Sequence, residues 1–249
     1  MKPLFILMTI VLGIVLPYGH AYTFLVRYLV MAMLFFALLD LEVNRRSLQA
    51  VHGKVLAWNL FLPILYFLCI WPFNATLALV AFVVAIAPTA AGGPIFADLL
   101  KTDVTLVTVS VLVTSVGVAL WVPFLLPQVV EIGPSINIGA VLFPVFVVIF
   151  LPLFLAQGIR RFFTPWHRWL LQWKGISFIL FLINVYIASS KASHFVQMDD
   201  QTDTAMILAI AATSAGCCLI NFSIGIYLGR VREPIATGLA LGRKNNMFA

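Results

Sequence analysis

Charged residues are scarce in this chain of 249 residues, because aspartate, glutamate, lysine and arginine make up only 10% of it while 63% is hydrophobic. Soluble domains contain about 25% charged residues and roughly 45–50% apolar ones. A water-soluble globule cannot bury so much apolar surface, so lipid is the expected solvent and the bilayer the expected partner. The same composition excludes fibrous and disordered proteins.

Cysteines and catalytic motifs are also scarce. The three cysteines, Cys69, Cys217 and Cys218, lie within apolar runs and show no metal-ligand spacing. The chain has no phosphate-binding loop, no dinucleotide-binding glycine motif, no zinc-protease motif and no Ser-His-Asp order. The sequence therefore predicts no enzyme activity, no metal site and no cofactor.

Long apolar runs predict an all-α, polytopic membrane protein, since a helix of about 20 apolar residues spans a hydrocarbon core about 30 Å thick. The nine candidate spans cover residues 3–17, 23–40, 52–71, 75–100, 103–126, 136–156, 174–190, 204–229 and 233–249. The fourth and the ninth contain residues that do not suit a continuous helix in lipid.

Basic residues concentrate at alternate connections between these spans. They are Arg45, Arg46, Lys54, Lys101, Arg160, Arg161, Arg168, Lys174, Arg230 and Arg232. The opposite connections carry acidic residues and Lys191. The positive-inside rule therefore predicts a multi-pass protein of the plasma (inner) membrane with a cytoplasmic N-terminus. Because the cations form no basic face, the net charge of +6 does not indicate a nucleic-acid partner.

The segment 157–174 interleaves arginines with tryptophan and phenylalanine. This pattern is typical of an interfacial amphipathic helix, with rings at the headgroup level and cations in water. We expect it to join two halves of the molecule.

The fourth span is interrupted at residues 88–94, where two prolines flank two glycines, and the ninth at residues 242–246. Broken backbone at membrane depth must line a cavity or be buried in protein, and paired broken helices form the substrate site in many carriers. Two alternatives stay open. The first interruption is compatible with a proline-kinked helix, and the second with a helix that dips into a basic tail.

Residues 33–39, 87–94 and 238–249 together resemble the bile acid:sodium symporter family. The resemblance implies ten spans in two inverted five-span repeats, with broken helices 4 and 9 crossing in a core domain that moves against a panel domain. Residues 1–156 would then hold the first repeat and the start of the second (panel helices 1, 2 and 6; core helices 3–5). Residues 157–174 would form the linker, and residues 175–249 helices 7, 8 and part of 9. By this pattern the chain is truncated at its C-terminus.

The resemblance also places the candidate site. The predicted substrate-binding residues are Ala91, Gly92, Gly93, Pro94, Arg243, Lys244, Asn245 and Asn246. The predicted coupling or cavity-lining residues are Asn59, Asp98, Asn184 and Asn221.

The family's sodium ligands are not matched, although sodium stays a possible coupling ion. The corresponding positions hold Gly93, Pro94, Val107, Val111, Ala240 and Lys244, while a family asparagine is retained as Asn245. Arg243 and Lys244 offer fixed positive charge in place of a bound cation. The resulting hypothesis is a sodium-independent secondary transporter of an organic anion that works by alternating access.

Two alternatives remain. One is a sodium-coupled symporter whose ion ligands are relocated, for example to Thr105, Thr108, Ser110, Thr114 or Ser115. The other is an inactive, truncated homologue or a membrane subunit that does not transport.

Overall fold

The computed structural model describes residues 2–39, 41, 48–129, 138–198 and 204–244, and these residues are helical almost throughout. The α-helices in chain order are α1 (Lys2–Val15), α2 (Val26–Leu39), α3 (Ala50–Ile70), α4 (Ala75–Ile86), α5 (Gly93–Leu99), α6 (Val104–Val129), α7 (Ile138–Phe162), α8 (Thr164–Gln172), α9 (Ile176–Met198), α10 (Thr204–Gly229) and α11 (Pro234–Gly242). A 3-10 helix over Pro17–Leu25 precedes α2.

The prediction of an all-α membrane protein is confirmed at the level of its helices. Within the described part of the chain, five helical stretches are long and apolar enough to cross a membrane: Pro17–Leu39, Ala50–Ile70, Val104–Leu125, Ile176–Met198 and Thr204–Gly229. Two shorter apolar helices, Lys2–Val15 and Ala75–Ile86, accompany them. The count of nine spans and the inverted repeat stay predictions.

Two predicted boundaries differ from the structure. The second apolar helix begins at Pro17, and not at residue 23, because the 3-10 helix runs directly into α2. The predicted linker over 157–174 contains the end of α7, which continues to Phe162 with Arg160 and Arg161 in its last turn. Cations are favourable at a helix C-terminus, which is the negative end of the helix dipole. The remainder of the linker forms α8, in which no residue is buried.

The chain divides into two compact units. Unit 1 comprises residues 1–41 and 150–203, and therefore holds α1, the 3-10 helix, α2, the second part of α7, α8 and α9. Unit 2 comprises residues 42–149 and 204–249 and holds α3–α6, the start of α7, α10 and α11. These units group residues by contact, whereas the predicted ranges 1–156, 157–174 and 175–249 group them by repeat, so the predicted division stays a prediction.

Close packing of α10 against α11 fixes the position of the second interruption within unit 2. A Cβ atom at Gly225 of α10 would lie 2.6 Å from the carbonyl oxygen of Thr237 and 2.8 Å from the Cα of Gly238. Glycine at this position lets the two backbones approach each other, as small residues do between membrane helices. The end of α11 is thereby held against α10.

Candidate functional site

The first interruption separates α4 from α5. Ala87 ends α4 with φ −53° and ψ 141°, an extended conformation. The following Pro88 accounts for this, because a proline ring disfavours helical geometry in the residue before it. Helix resumes at Gly93, whose N–H donates to the carbonyl of Ala90 at 2.7 Å. The break predicted at 88–94 is therefore confirmed, with its non-helical residues at 87–92.

The second interruption follows α11. This helix ends at Gly242, and Arg243 is extended, with φ −87° and ψ 113°. The N–H of Arg243 still donates to the carbonyl of Leu239 at 3.1 Å, which closes the last turn. Arg243 and Lys244 therefore lie outside the helix, within the predicted range 242–246, and the residues after Lys244 lie outside the described part of the chain.

The two interruptions pair with each other. Thr89 and Lys244 form an isolated antiparallel β-bridge, and the N–H of Ala90 donates to the carbonyl of Arg243 at 2.9 Å. The hydroxyl of Thr89 donates to the carbonyl of Ala240 at 2.5 Å, near the end of α11. Each broken helix thus supplies partners for backbone groups that the other leaves without a helical hydrogen bond. We call this arrangement the crossing: residues 87–92, 243 and 244.

Helix α6 supports the crossing with a buried hydroxyl. The oxygen of Thr114 accepts a hydrogen bond from the N–H of Thr89 at 3.0 Å and donates its own proton to the carbonyl of Ser110 at 2.7 Å. Both Thr89 and Thr114 are completely buried. The backbone at the first break is therefore fixed from two sides, by α11 and by α6.

Two cations lie at the crossing. The ammonium of Lys244 donates a short hydrogen bond to the side-chain oxygen of Asn59, which is fully buried on α3. The guanidinium of Arg243 lies over the ring of Phe96, with 3.4 Å between its central carbon and the ring centroid. A cation held over an aromatic face is stabilised by the negative face of the ring.

Asn59 retains an unused donor. Its amide nitrogen is buried and has no hydrogen-bond partner in the described part of the chain. Because the amide oxygen faces the ammonium of Lys244, the nitrogen must be the atom left over. This amide nitrogen and the two cationic groups are donors, which suit an acceptor ligand such as a carboxylate or sulfonate.

The predicted substrate-binding residues divide into three groups. Arg243 and Lys244 belong to the crossing. Ala91 and Gly92 are buried within the crossing and Gly93 and Pro94 are buried directly after it, while the contacts with the second break are made by Thr89 and Ala90. Gly93 and Pro94 already belong to α5, where proline suits the first turn, and their role in substrate binding stays a prediction. Asn245 and Asn246 lie outside the described residues.

The four predicted coupling or lining residues have different surroundings in the structure. Asn59 lies at the crossing, whereas Asn221 is buried on α10 and accepts a hydrogen bond from the hydroxyl of Tyr66 at 3.0 Å. Asp98 is exposed near the end of α5. Asn184 is buried on α9, which belongs to unit 1, whereas the crossing belongs to unit 2. Among the described residues, Asn59 contacts the ammonium of Lys244 at the crossing.

Seven of the positions considered for sodium lie on α6 (Val107, Val111, Thr105, Thr108, Ser110, Thr114 and Ser115). Val107 and Val111 are buried and offer no oxygen. The hydroxyls of Thr108 and Ser110 donate to carbonyls of their own helix, at 2.7 Å and 2.9 Å. Among these positions Thr114 contacts the first break directly, Thr105 is exposed and Ser115 is buried. Over the described residues, no three His, Cys, Asp or Glu side chains group as metal ligands would.

Three residues that make contacts at the crossing were not predicted as site residues. Thr89 lies inside the predicted break, where nothing in the sequence distinguishes it from the other small residues. Thr114 was considered only as a sodium ligand. Phe96 is one of 21 phenylalanines in the chain. The spacing of hydroxyl residues along α6 was a usable signal, because Ser110 and Thr114 are separated by one helical turn and share a face.

Comparison of the chain with protein-family models gives no match, and comparison with curated proteins gives none either. The resemblance to the bile acid:sodium symporter family therefore remains a resemblance carried by three segments of the sequence.

Proposed function

We propose that this protein is a secondary transporter that binds an organic anion at the crossing and carries it across the membrane by alternating access. The single observation that supports this function is the backbone pairing of Thr89, in the break between α4 and α5, with Lys244, which follows the end of α11. An interrupted helix in apolar surroundings is costly unless its free backbone N–H and C=O groups find hydrogen-bond partners. In many carriers these free groups lie in the substrate site.

The charge at the crossing favours an anion. Lys244 and Arg243 each carry a cationic group there, and the amide nitrogen of Asn59 is a third donor. Cations at membrane depth are costly, and they commonly mark the path of a charged substrate. A carboxylate or sulfonate group provides the acceptors that these donors match.

We further propose that Lys244 replaces a coupling cation. Its ammonium is held by the carbonyl oxygen of Asn59, an interaction of the type that an oxygen ligand makes with a metal ion. A covalently attached side chain does not dissociate during the cycle, and no sodium gradient is needed to fill its site. Transport is therefore proposed to be independent of sodium.

Uptake into proteoliposomes tests this function. The purified protein is reconstituted, and the entry of radiolabelled pyruvate, methanesulfonate and taurocholate is measured against protein-free liposomes. We expect at least one of the three anions to enter. Entry of none of them would contradict the proposal and favour a membrane subunit that does not transport.

Variants connect the activity to the crossing. Lys244→Met should reduce initial uptake at least tenfold, since the fixed charge is lost, and Lys244→Arg should restore part of it. Lys54→Met is the matched control, because Lys54 is exposed on α3. Full activity of Lys244→Met would show that the substrate is recognised elsewhere.

A further inference from the structure

An apolar groove lies within unit 1, between α2 and the second part of α7. It has a volume of about 260 Å³. Its lining side chains are all apolar: Met31, Ala32, Phe35, Leu151, Pro152 and Leu155. A groove without hydrogen-bonding groups suits a hydrocarbon chain.

Beyond the groove, toward the C-terminal ends of α2 and α7, these two helices come together with α8. The side-chain amide of Gln157 on α7 donates to the carbonyls of Leu38 at 3.1 Å and Leu41 at 3.2 Å. The Nε2 atom of His167 on α8 donates to the carbonyl of Leu39 at 2.9 Å. Because the helix rise is 1.5 Å per residue, Phe35 in the groove lies about 6 Å along α2 from Leu39.

Exposed cations lie at this end of the groove. Arg161 is in the last turn of α7, about 9 Å along the helix from Leu155, and Arg168 is on α8. Both side chains are exposed. Trp166 and Trp169 on α8 are 67% and 56% exposed, as rings are at the headgroup level of a bilayer. The order along the helix axes is therefore apolar groove, then aromatic rings and arginines.

We propose that unit 1 binds one anionic phospholipid, with an acyl chain in this groove and its phosphate at Arg161 and Arg168. The charge decides the choice of lipid. A phospholipid with a net negative charge complements the two arginines, whereas the added ammonium of a zwitterionic headgroup opposes them. This site lies in unit 1, so it does not rest on the transport proposed for the crossing in unit 2.

Native mass spectrometry of the detergent-solubilised full chain tests the proposal. The protein is mixed with equal amounts of phosphatidylglycerol and phosphatidylcholine of the same acyl chains. We expect phosphatidylglycerol adducts to dominate. An Arg161→Gln/Arg168→Gln variant should bind phosphatidylglycerol about 25-fold more weakly, because each arginine near an anionic lipid contributes about fivefold in affinity.

Two controls separate the headgroup from the groove. Lys54→Gln removes an exposed cation from α3 of unit 2 and should leave the lipid adducts unchanged. Ala32→Trp fills the groove without altering charge and should weaken phosphatidylglycerol binding at least tenfold.

Soluble glycerol phosphate identifies the role of the acyl chain. At millimolar concentration it should leave the phosphatidylglycerol adduct in place, since it lacks the chain that the groove holds. Equal retention of the two lipids by the unaltered protein would overturn the proposal. Unchanged phosphatidylglycerol binding in the double arginine variant or in Ala32→Trp would overturn it as well, as would displacement by glycerol phosphate.

Discussion

The ammonium of Lys244 donates a hydrogen bond to the side-chain oxygen of Asn59, and this contact joins the second chain interruption to the middle of α3. The backbone of Lys244 pairs at the same time with Thr89 in the first interruption. One residue thus connects both breaks and a neighbouring helix. Its ammonium lies where the first break meets the end of α11, which is the physical basis of the proposed anion site.

Asn59→Asp tests whether the charge of Lys244 is used for binding. The substitution is nearly isosteric, and a carboxylate at this position forms an ion pair with the ammonium and neutralises it. We expect the affinity for the transported anion to fall at least tenfold, while the unfolding temperature in detergent does not fall. Initial uptake rates over a range of anion concentrations measure this effect.

Asn74→Asp is the matched control for that substitution. Asn74 caps α4 by accepting a hydrogen bond from the N–H of Leu77 at 3.0 Å, and aspartate is an equally good cap. This variant adds the same charge to unit 2 away from Lys244, so its uptake should equal that of the unaltered protein. Equal losses in both variants would refute a specific role for the charge of Lys244.

Thr89→Val should destabilise the crossing. The valine keeps the shape of the side chain but removes the hydroxyl that donates to the carbonyl of Ala240, which is left buried and without that donor. We expect a loss of about 1–2 kcal/mol in the free energy of unfolding. Unfolding in mixed detergent micelles measures it, with the exposed Thr105→Val as the control. An unchanged unfolding free energy would show that this hydrogen bond contributes nothing net.

Gly225→Ala should displace α11. A methyl group at this position would lie 2.6 Å from the carbonyl oxygen of Thr237, and a backbone atom cannot rotate away. We expect a destabilisation of about 1–3 kcal/mol. Gly216→Ala on the same helix is the control, since nothing lies within 4 Å of its added Cβ, and alanine there should be neutral or stabilising by up to about 1 kcal/mol. Equal unfolding free energies for the two variants would contradict the close packing of α10 and α11.

Tyr66→Phe removes the hydroxyl that donates to the buried side-chain oxygen of Asn221 at 3.0 Å. The unfolding free energy should fall by about 1 kcal/mol, because a buried acceptor loses its donor, while anion uptake is retained. Tyr227→Phe is the control, since Tyr227 is 61% exposed on α10. Loss of uptake with unchanged stability would instead place Tyr66 on the substrate path.

Local rules account for the features that the sequence predicts well. Pro88 forces Ala87 out of helical geometry whatever the rest of the chain does, so the first break is readable from a few neighbouring residues. The apolar runs are equally local, and α3, α6, α9 and α10 follow them.

The contacts that complete the site depend on distant parts of the chain. Thr89 receives its partners from Ala240 on α11 and Thr114 on α6, and nothing near Thr89 in the sequence indicates either. The assignment of Asn184 to unit 1 has the same origin, because membership of a compact unit is set by helix packing between remote segments. A buried amide on an apolar helix has the same appearance in sequence whichever helices surround it.

The most direct test of the central claim is the sodium dependence of anion uptake. Initial rates are measured in proteoliposomes under an inward sodium gradient and again with choline replacing sodium, at equal membrane potential. Because Lys244 supplies the positive charge at the crossing, the two rates should agree within experimental error. A rate that rises several-fold with sodium and saturates with its concentration would contradict the account.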